Sequence, residues 1–125
     1  MKFNSNKEIG NSSLGIAISY FTGQGYTVSI PLNDTQDYDL IVDIQNKLYR
    51  VQVKGTKCKT RYGIFQTSLR SFGGTLGKVY KKVKDTDVEL IFIVTSNKEL
   101  YLIPKDIIKN GNSINLGKKY DKYRL

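Results

Sequence analysis

The chain contains no histidine, a single cysteine and only two prolines among its 125 residues. Without an imidazole it cannot build a Ser-His-Asp triad, a Cys-His dyad or a histidine-bound metal site. Cys58 has no second cysteine for a disulfide and no histidine with which to share a zinc ion, so we expect a bystander thiol. Any catalysis must therefore use carboxylates, lysine and amides, with or without a hard metal ion.

Long apolar runs are also missing. No segment approaches the roughly 18 unbroken apolar residues of a membrane helix, and the polar start of the chain lacks the apolar stretch of a secretory signal. We therefore expect no membrane partner and a cytoplasmic location. With 39% hydrophobic and 25% charged residues, the composition favours one globular domain over residues 1–125, including a basic tail at about 111–125.

Acidic residues are absent from a long internal stretch. The chain has 20 Lys and Arg against 11 Asp and Glu, a net charge of +9, yet no acidic residue lies between Ile44 and Lys84. Such a field attracts a polyanion, and counterion release would make phosphate binding strongly salt dependent. Nucleic acid is the favoured partner, with a solvated face of no function or an anionic lipid surface as alternatives.

Several cations of this basic stretch are predicted to contact DNA phosphates. The glycine-rich segment at 72–78 lacks the spacing of a phosphate-binding Walker loop, so a DNA-contacting loop is the better interpretation. The predicted contact residues are Lys57, Lys59, Arg61, Arg70, Lys78, Lys81 and Lys82.

The apolar pattern predicts a helix followed by a meander of strands. The helix runs from about Ser5 to Phe21, with Ile9, Ile16 and Tyr20 on one face. Strands are predicted at about 26–30, 38–44, 48–54, 63–69 and 89–95, with a hairpin over 98–104. A helix or helical turn is predicted at 77–83, and a short helix near residue 105. The polar pair Asn46-Lys47 is predicted to turn the second strand into the third.

The second and third strands bring together residues with useful chemistry. Asp39 starts the second strand, while Gln52 and Lys54 share one face of the third because strand side chains alternate. A carboxylate, an amide oxygen and a backbone carbonyl such as that of Val53 can hold Mg²⁺. Lys54 could then orient or activate the attacking water and stabilise developing charge on a phosphate.

Three elements of the sequence resemble the PD-(D/E)XK nuclease superfamily. They are Glu8 in the first helix, the pair Tyr38-Asp39, and the run Gln52-Val53-Lys54. The likeness is greatest to the branch containing the cyanobacterial group I intron homing endonuclease, and more distant to archaeal Holliday-junction resolvases. It extends from about Glu8 to Pro104.

This resemblance implies an α/β fold with a restriction-endonuclease-like core, in which helices flank a mixed central β-sheet. It implies a Mg²⁺-dependent endodeoxyribonuclease, with Mn²⁺ able to substitute, acting on double-stranded or branched DNA. Its metal ligands would be Asp39, Gln52, the Val53 carbonyl and Glu8, with Lys54 completing the catalytic set. Because cutting a duplex requires two active sites, a homodimer or homotetramer is expected. A homing or mobile-element role is favoured over a junction resolvase or a restriction or viral repair nuclease.

Two departures from the family pattern leave alternatives open. Tyr38 replaces proline, which is a backbone matter, whereas Gln52 replaces the usual Asp or Glu and removes one negative charge. Glu8 could supply that charge, although Ser5 and Glu8 also have the spacing of a helix capping box. Asp43 is interpreted as structural. A rival of another class is a DNA-binding module that keeps the nuclease fold without cutting.

Overall fold

The computed structural model describes residues 5–33, 35–73, 79–109 and 111–125. Its helix α1 spans Asn6–Gly23. The strands are β1 (Thr27–Ser29), β2 (Leu40–Ile44), β3 (Lys47–Thr56), β4 (Gln66–Ser68), β5 (Arg70–Gly73), β6 (Val79–Lys82), β7 (Leu90–Thr95), β8 (Leu100–Pro104) and β9 (Ser113–Asn115). Short 3₁₀ helices occupy Val83–Asp85, Lys105–Ile107 and Lys118–Tyr123. No helix in the described ranges is long and apolar enough to cross a membrane.

Helix α1 begins at a side-chain cap and buries a narrow stripe. The Ser5 hydroxyl accepts a hydrogen bond from the Glu8 backbone N–H at 3.2 Å, as the capping interpretation predicts. Its most buried residues recur every four positions and comprise Ile9, Ser13, Ala17 and Phe21. Ile16 and Tyr20, which the sequence predicts on the same face as Ile9, are half-buried and pack beside this stripe against the same core. The small Ser13 and Ala17 face inward because the helix lies very close to the sheet.

The central sheet is mixed and has the strand order β1-β2-β3-β7-β8. Strand β3 pairs antiparallel with β2 and parallel with β7, and all other neighbours in this sheet are antiparallel. This arrangement confirms the predicted mixed sheet and the 98–104 hairpin. Since β2 pairs only as far as Leu40 with Val51, β3 continues beyond it along β7 to Thr56.

The hairpin between β2 and β3 turns one residue earlier than the sequence predicted. Ile44 pairs with Lys47, so Gln45 and Asn46 form the turn, with φ angles of 52° and 69°. A two-residue turn of this kind needs positive φ at both central positions, and asparagine tolerates that conformation better than lysine. The predicted alternation along β3 is unaffected.

Apolar residues cover both faces of the sheet. On one face α1 packs Ala17 and Phe21 against Leu40, Val42, Val51, Phe92 and Val94. On the other face the cluster comprises Phe65, Leu69, Val83, Val88, Ile91, Ile93, Tyr101, Ile103, Ile108, Ile114, Leu116 and Tyr120. In the described ranges, α1 is the only α-helix, so small strands and 3₁₀ helices cover this second face.

The segment predicted as a helix at 77–83 contains a strand instead. Residues Val79–Lys82 pair antiparallel with Arg70–Gly73 to form β6 and β5. Valine and tyrosine favour extended backbone when a partner strand is available, which a local helical reading does not consider. Residues 77 and 78 lie outside the described residues. The strand predicted at 63–69 is also shorter, because Gly63 has a φ of +78° and belongs to a turn.

Candidate active site

The candidate site forms at the start of β2, where β3 continues past its pairing with that strand. The Asp39 backbone N–H donates to the Val51 carbonyl at 2.9 Å, which extends the strand pairing by one residue. The Val53 backbone N–H then donates to Asp39 Oδ2 at 2.7 Å. The Asp39 carboxylate therefore accepts the hydrogen bond that a main-chain carbonyl would accept if the β2–β3 pairing continued toward the preceding residues. This bond holds the Asp39 side chain against the edge of β3, at Val53, where the pairing with β2 has stopped.

Gln52 contributes a buried amide oxygen to the site that Asp39 lines. Its side chain is only 4% exposed, and its Nε2 donates to the Asp37 main-chain carbonyl at 3.2 Å. A carbonyl can only accept, so the amide orientation is determined and Oε1 must be the other atom. Oε1 has no hydrogen-bond partner among the described residues. A buried amide oxygen without a donor is costly unless a cation or another ligand approaches it.

Lys54 is the next residue on the face of Gln52. Its Nζ donates to the Arg70 main-chain carbonyl at 3.2 Å, which ties it to the start of β5. Burial lowers the pKa of Lys54 from its usual 10.5, and the Asp39 carboxylate opposes that change. Burial likewise raises the pKa of Asp39 above 3.8, while the Val53 N–H and Lys54 act to lower it. Part of Asp39 remains open to solvent, so its carboxylate is reachable although protein atoms crowd it.

A cleft of about 640 Å³ opens over these residues. Asp39, Gln52, Val53 and Lys54 all line it, together with the first turns of α1 and the strand β4. Lys57 and Arg70 stand at the same cleft. The volume is that of a ligand-binding cleft, and its lining combines two carboxylates with several cations.

The oxygens at this point suit a hard divalent cation. Asp39 supplies a charged oxygen and Gln52 a neutral one. In an extended strand the N–H and C=O of one residue point to the same side, and the Val53 N–H points to Asp39. The Val53 carbonyl therefore faces the Asp39 side as well. The described ranges contain no group of three or more His, Cys, Asp or Glu placed to hold a metal ion.

Comparison with known proteins gives the family and the fold of the chain. The model of the PD-(D/E)XK endonuclease family matches residues 4–123. The chain belongs to the PD-(D/E)XK endonuclease family. Among solved structures it is similar to a bacterial homing endonuclease, I-Ssp6803I, with a TM-score of 0.79 and 24% identity over 97% of this chain and 89% of that one. At that identity the likeness shows the restriction-endonuclease-like fold. No curated protein matches the chain.

The structure brings together four of the five residues that the PD-(D/E)XK pattern indicates. Asp39, Gln52, Val53 and Lys54 share the cleft, whereas Glu8 is exposed in the first turn of α1 and is not among the lining residues. Its neighbour Ile9 does line the cleft. The role of Glu8 in catalysis stays a prediction, as do the roles of the other four.

The predicted DNA-contacting cations are spread more widely. Lys57 and Arg70 line the cleft, and Arg70 Nε also donates to Asn112 Oδ1 at 3.3 Å. Lys81 Nζ lies 3.4 Å from Asp37 Oδ2. Of the others, Lys59 and Arg61 stack on neighbouring aromatic rings, Lys82 is exposed, and Lys78 lies outside the described residues. Of the predicted cations that the structure describes, only Lys57 and Arg70 therefore line this cleft.

Sequence reasoning missed two contributions to the site. The Asp37 and Arg70 carbonyls orient Gln52 and Lys54, and no side-chain pattern reveals a main-chain acceptor. Asp37 itself carried one available signal, because it is one of four aspartates within residues 34–43, a stretch that has no Lys or Arg.

Proposed function

We propose that this PD-(D/E)XK endonuclease is a Mg²⁺-dependent enzyme that hydrolyses phosphodiester bonds in double-stranded or branched DNA. The observation that carries the proposal is the unpartnered, buried Oε1 of Gln52, beside the Asp39 carboxylate and the half-buried Lys54. Mn²⁺ is expected to substitute, since both ions accept an octahedral set of oxygens.

The chain's own residues divide the chemistry among them. A divalent cation held by Asp39, Gln52 and the Val53 carbonyl supplies Lewis-acid activation of the phosphodiester and of water. Lys54, held by the Arg70 carbonyl, takes a proton from the attacking water or places its positive charge against the developing phosphorane. The lowered pKa of Lys54 favours the first of these tasks, because a larger fraction of the amine is then neutral at a given pH.

We further propose site-specific cutting of the homing or mobile-element type, supported by the structural likeness to a homing endonuclease. A junction resolvase and a restriction or viral repair nuclease are the nearest alternatives. Cutting both strands of a duplex requires two such clefts, so we propose a homodimer or homotetramer. The matched range of 4–123 supports a single nuclease domain, and we propose a cytoplasmic location.

The test is cleavage of supercoiled plasmid and four-way junction DNA, with Mg²⁺ or with EDTA. Wild-type protein is expected to cut only with Mg²⁺, and Lys54→Ala to cut about 100- to 10,000-fold more slowly, which is the usual contribution of a proton-transfer group. Lys47→Ala is a matched control because Lys47 is an exposed lysine at the other end of β3, and it should cut normally.

Two results would contradict the proposal in different ways. Salt-sensitive DNA binding without Mg²⁺-dependent cleavage of any substrate would favour the non-cutting DNA-binding module. Failure to bind DNA or heparin at low salt would oppose both readings and favour a lipid or protein partner.

The cleavage rate should also depend on pH through Lys54. Only the neutral amine accepts a proton, and the pKa of Lys54 lies below 10.5. The single-turnover rate with Mg²⁺ should therefore rise with pH toward that lowered pKa and level off above it. Lys54→Arg keeps the charge but cannot deprotonate, so its profile should lack this rise. A rise of equal size in Lys54→Arg would contradict a base role for Lys54.

A further inference from the structure

A second acidic residue lines the cleft that holds the candidate metal ligands. Asp37 lines the same cleft as Asp39, two residues before it in the chain. Its main-chain carbonyl accepts the Gln52 Nε2 hydrogen bond at 3.2 Å, so this residue is held directly next to Gln52. The sequence pattern assigns Asp37 no role, and the proposed mechanism above does not use its side chain.

A metal site made only of Asp39, Gln52 and the Val53 carbonyl is short of negative charge. Asp39 contributes one charge, while Gln52 and the Val53 carbonyl are neutral. Oxygen sites for divalent cations depend on the number of charged ligands for their affinity. The unpartnered Oε1 of Gln52 nevertheless leaves an oxygen at this point that can accept a cation. Another carboxylate within the same cleft would restore the missing charge.

The Asp37 carboxylate has a partner that it can exchange. Lys81 Nζ on β6 lies 3.4 Å from Asp37 Oδ2, and the lysine side chain is 46% exposed. An ion pair with a single contact of this length and a half-exposed lysine is weak, even though the Asp37 side chain is only 20% exposed. A divalent cation at the cleft attracts the same carboxylate more strongly, and a DNA phosphate attracts the released lysine.

We propose that Asp37 is the second carboxylate of the metal site, and that Lys81 occupies it until a divalent cation and DNA enter. Asp37 then exchanges the Lys81 ammonium for the cation, and Lys81 becomes free to contact a phosphate. This exchange would couple cation binding to DNA binding. The inference rests on the proposed metal-dependent function, because it needs a cation at Asp39 and Gln52.

The test is the binding of Mn²⁺ alone to DNA-free protein, followed through the electron paramagnetic resonance signal of the unbound ion. Asp37→Asn should weaken Mn²⁺ binding by about tenfold, at the lower end of what loss of a supporting group costs a metal site. The variant keeps the main-chain carbonyl that holds Gln52. Asp43→Asn removes the same charge from β2, outside the cleft lining, and should bind Mn²⁺ like the wild type.

Lys81→Met tests the exchange from the opposite direction. With its competitor removed, Asp37 should bind the cation more readily, so Mn²⁺ affinity should rise about twofold to fivefold, the equivalent of a weak ion pair. The same substitution in the Asp37→Asn background should change nothing, because the partner is already gone. Thermal melts of every variant check that folding is retained.

The possible results distinguish a failure of the Asp37 inference from a failure of the proposed metal-dependent function. Equal Mn²⁺ affinity of wild type and Asp37→Asn, with binding lost in Asp39→Asn, would overturn the role of Asp37 alone. A Lys81→Met effect that persists in the Asp37→Asn background would overturn the exchange. Absence of saturable Mn²⁺ binding to the wild type would overturn the metal site itself, and this inference with it.

Discussion

Asp39→Asn should slow Mg²⁺-dependent DNA cleavage by at least about a thousandfold, because it removes the charged ligand at the centre of the reaction. The fold should survive the change. Asparagine has nearly the same shape, and its Oδ1 can still accept the Val53 N–H bond that Asp39 Oδ2 accepts at 2.7 Å. The rate is measured under single-turnover conditions, so that product release does not hide the effect.

The same variant should be as stable as the metal-free wild type, or more stable. The pKa of Asp39 is raised above 3.8 in the folded state, so folding disfavours the ionised form. As pH rises through the interval between the unfolded and folded pKa values, the carboxylate lowers the free energy of unfolding. A neutral isostere avoids that cost at pH 7. The check is urea denaturation with EDTA present.

A contrary outcome for Asp39 is easily recognised. Near-normal cleavage by Asp39→Asn would remove this carboxylate from the active site. A marked loss of stability would instead show that Asp39 serves mainly to pin β2 against β3. Loss of function with stability retained is the usual signature of a site shaped for catalysis at the expense of folding.

Gly55→Ala should have the second large effect, because α1 lies too close to β3 for a side chain. An added Cβ would lie 2.6 Å from Ile9 Cγ2 and 3.2 Å from the Ile9 carbonyl oxygen, and would also collide with Ser13 Oγ. Ser13 is fully buried and Ile9 nearly so, so neither can move aside freely. We expect a loss of about 1–3 kcal/mol in the free energy of unfolding, typical of overpacking.

This clash should also reduce cleavage, since Gly55 follows Lys54 directly and Ile9 lines the cleft. Gly15→Ala is the matched control. It lies within α1, and nothing approaches an added Cβ there within 4 Å. That change should stabilise the protein by about 0.5–1 kcal/mol, because alanine favours a helix over glycine.

A double variant separates the clash from other effects of Gly55. Ser13→Ala removes the hydroxyl that the new Cβ would meet and leaves no unpaired group, because Ser13 Oγ has no partner in the described ranges. Gly55→Ala should therefore cost less in the Ser13→Ala background. Equal costs in both backgrounds, or an unaltered Gly55→Ala melt, would contradict the close contact between α1 and β3.

The site was more predictable from sequence than the elements around it. Gln52 and Lys54 lie two apart, and strand alternation alone places them on one face. A hairpin then returns Asp39 to them even though the turn was predicted one residue late, because the shift moved the turn and not the strand phase. The resemblance to the nuclease pattern supplied the rest.

What could not be predicted depends on long-range packing. Strand β6 forms because it pairs with β5, and the sequence of β6 alone does not show that a partner strand is available. Ser13 lies innermost on α1 because Gly55, some forty positions later, has no side chain. The anchoring of Gln52 by Asp37 is a main-chain contact. Each of these depends on a contact between separate segments that the local sequence pattern does not reveal.

The most direct test of the central claim is to locate Mn²⁺ in crystals of the protein by anomalous scattering. We predict a peak within about 2.0–2.4 Å of the Asp39 carboxylate, Gln52 Oε1 and the Val53 carbonyl, distances usual for small divalent cations bound by oxygen. The peak should be absent from crystals of Asp39→Asn. A peak elsewhere in the molecule, or none at this point at saturating Mn²⁺, would contradict a metal-dependent active site at the start of β2.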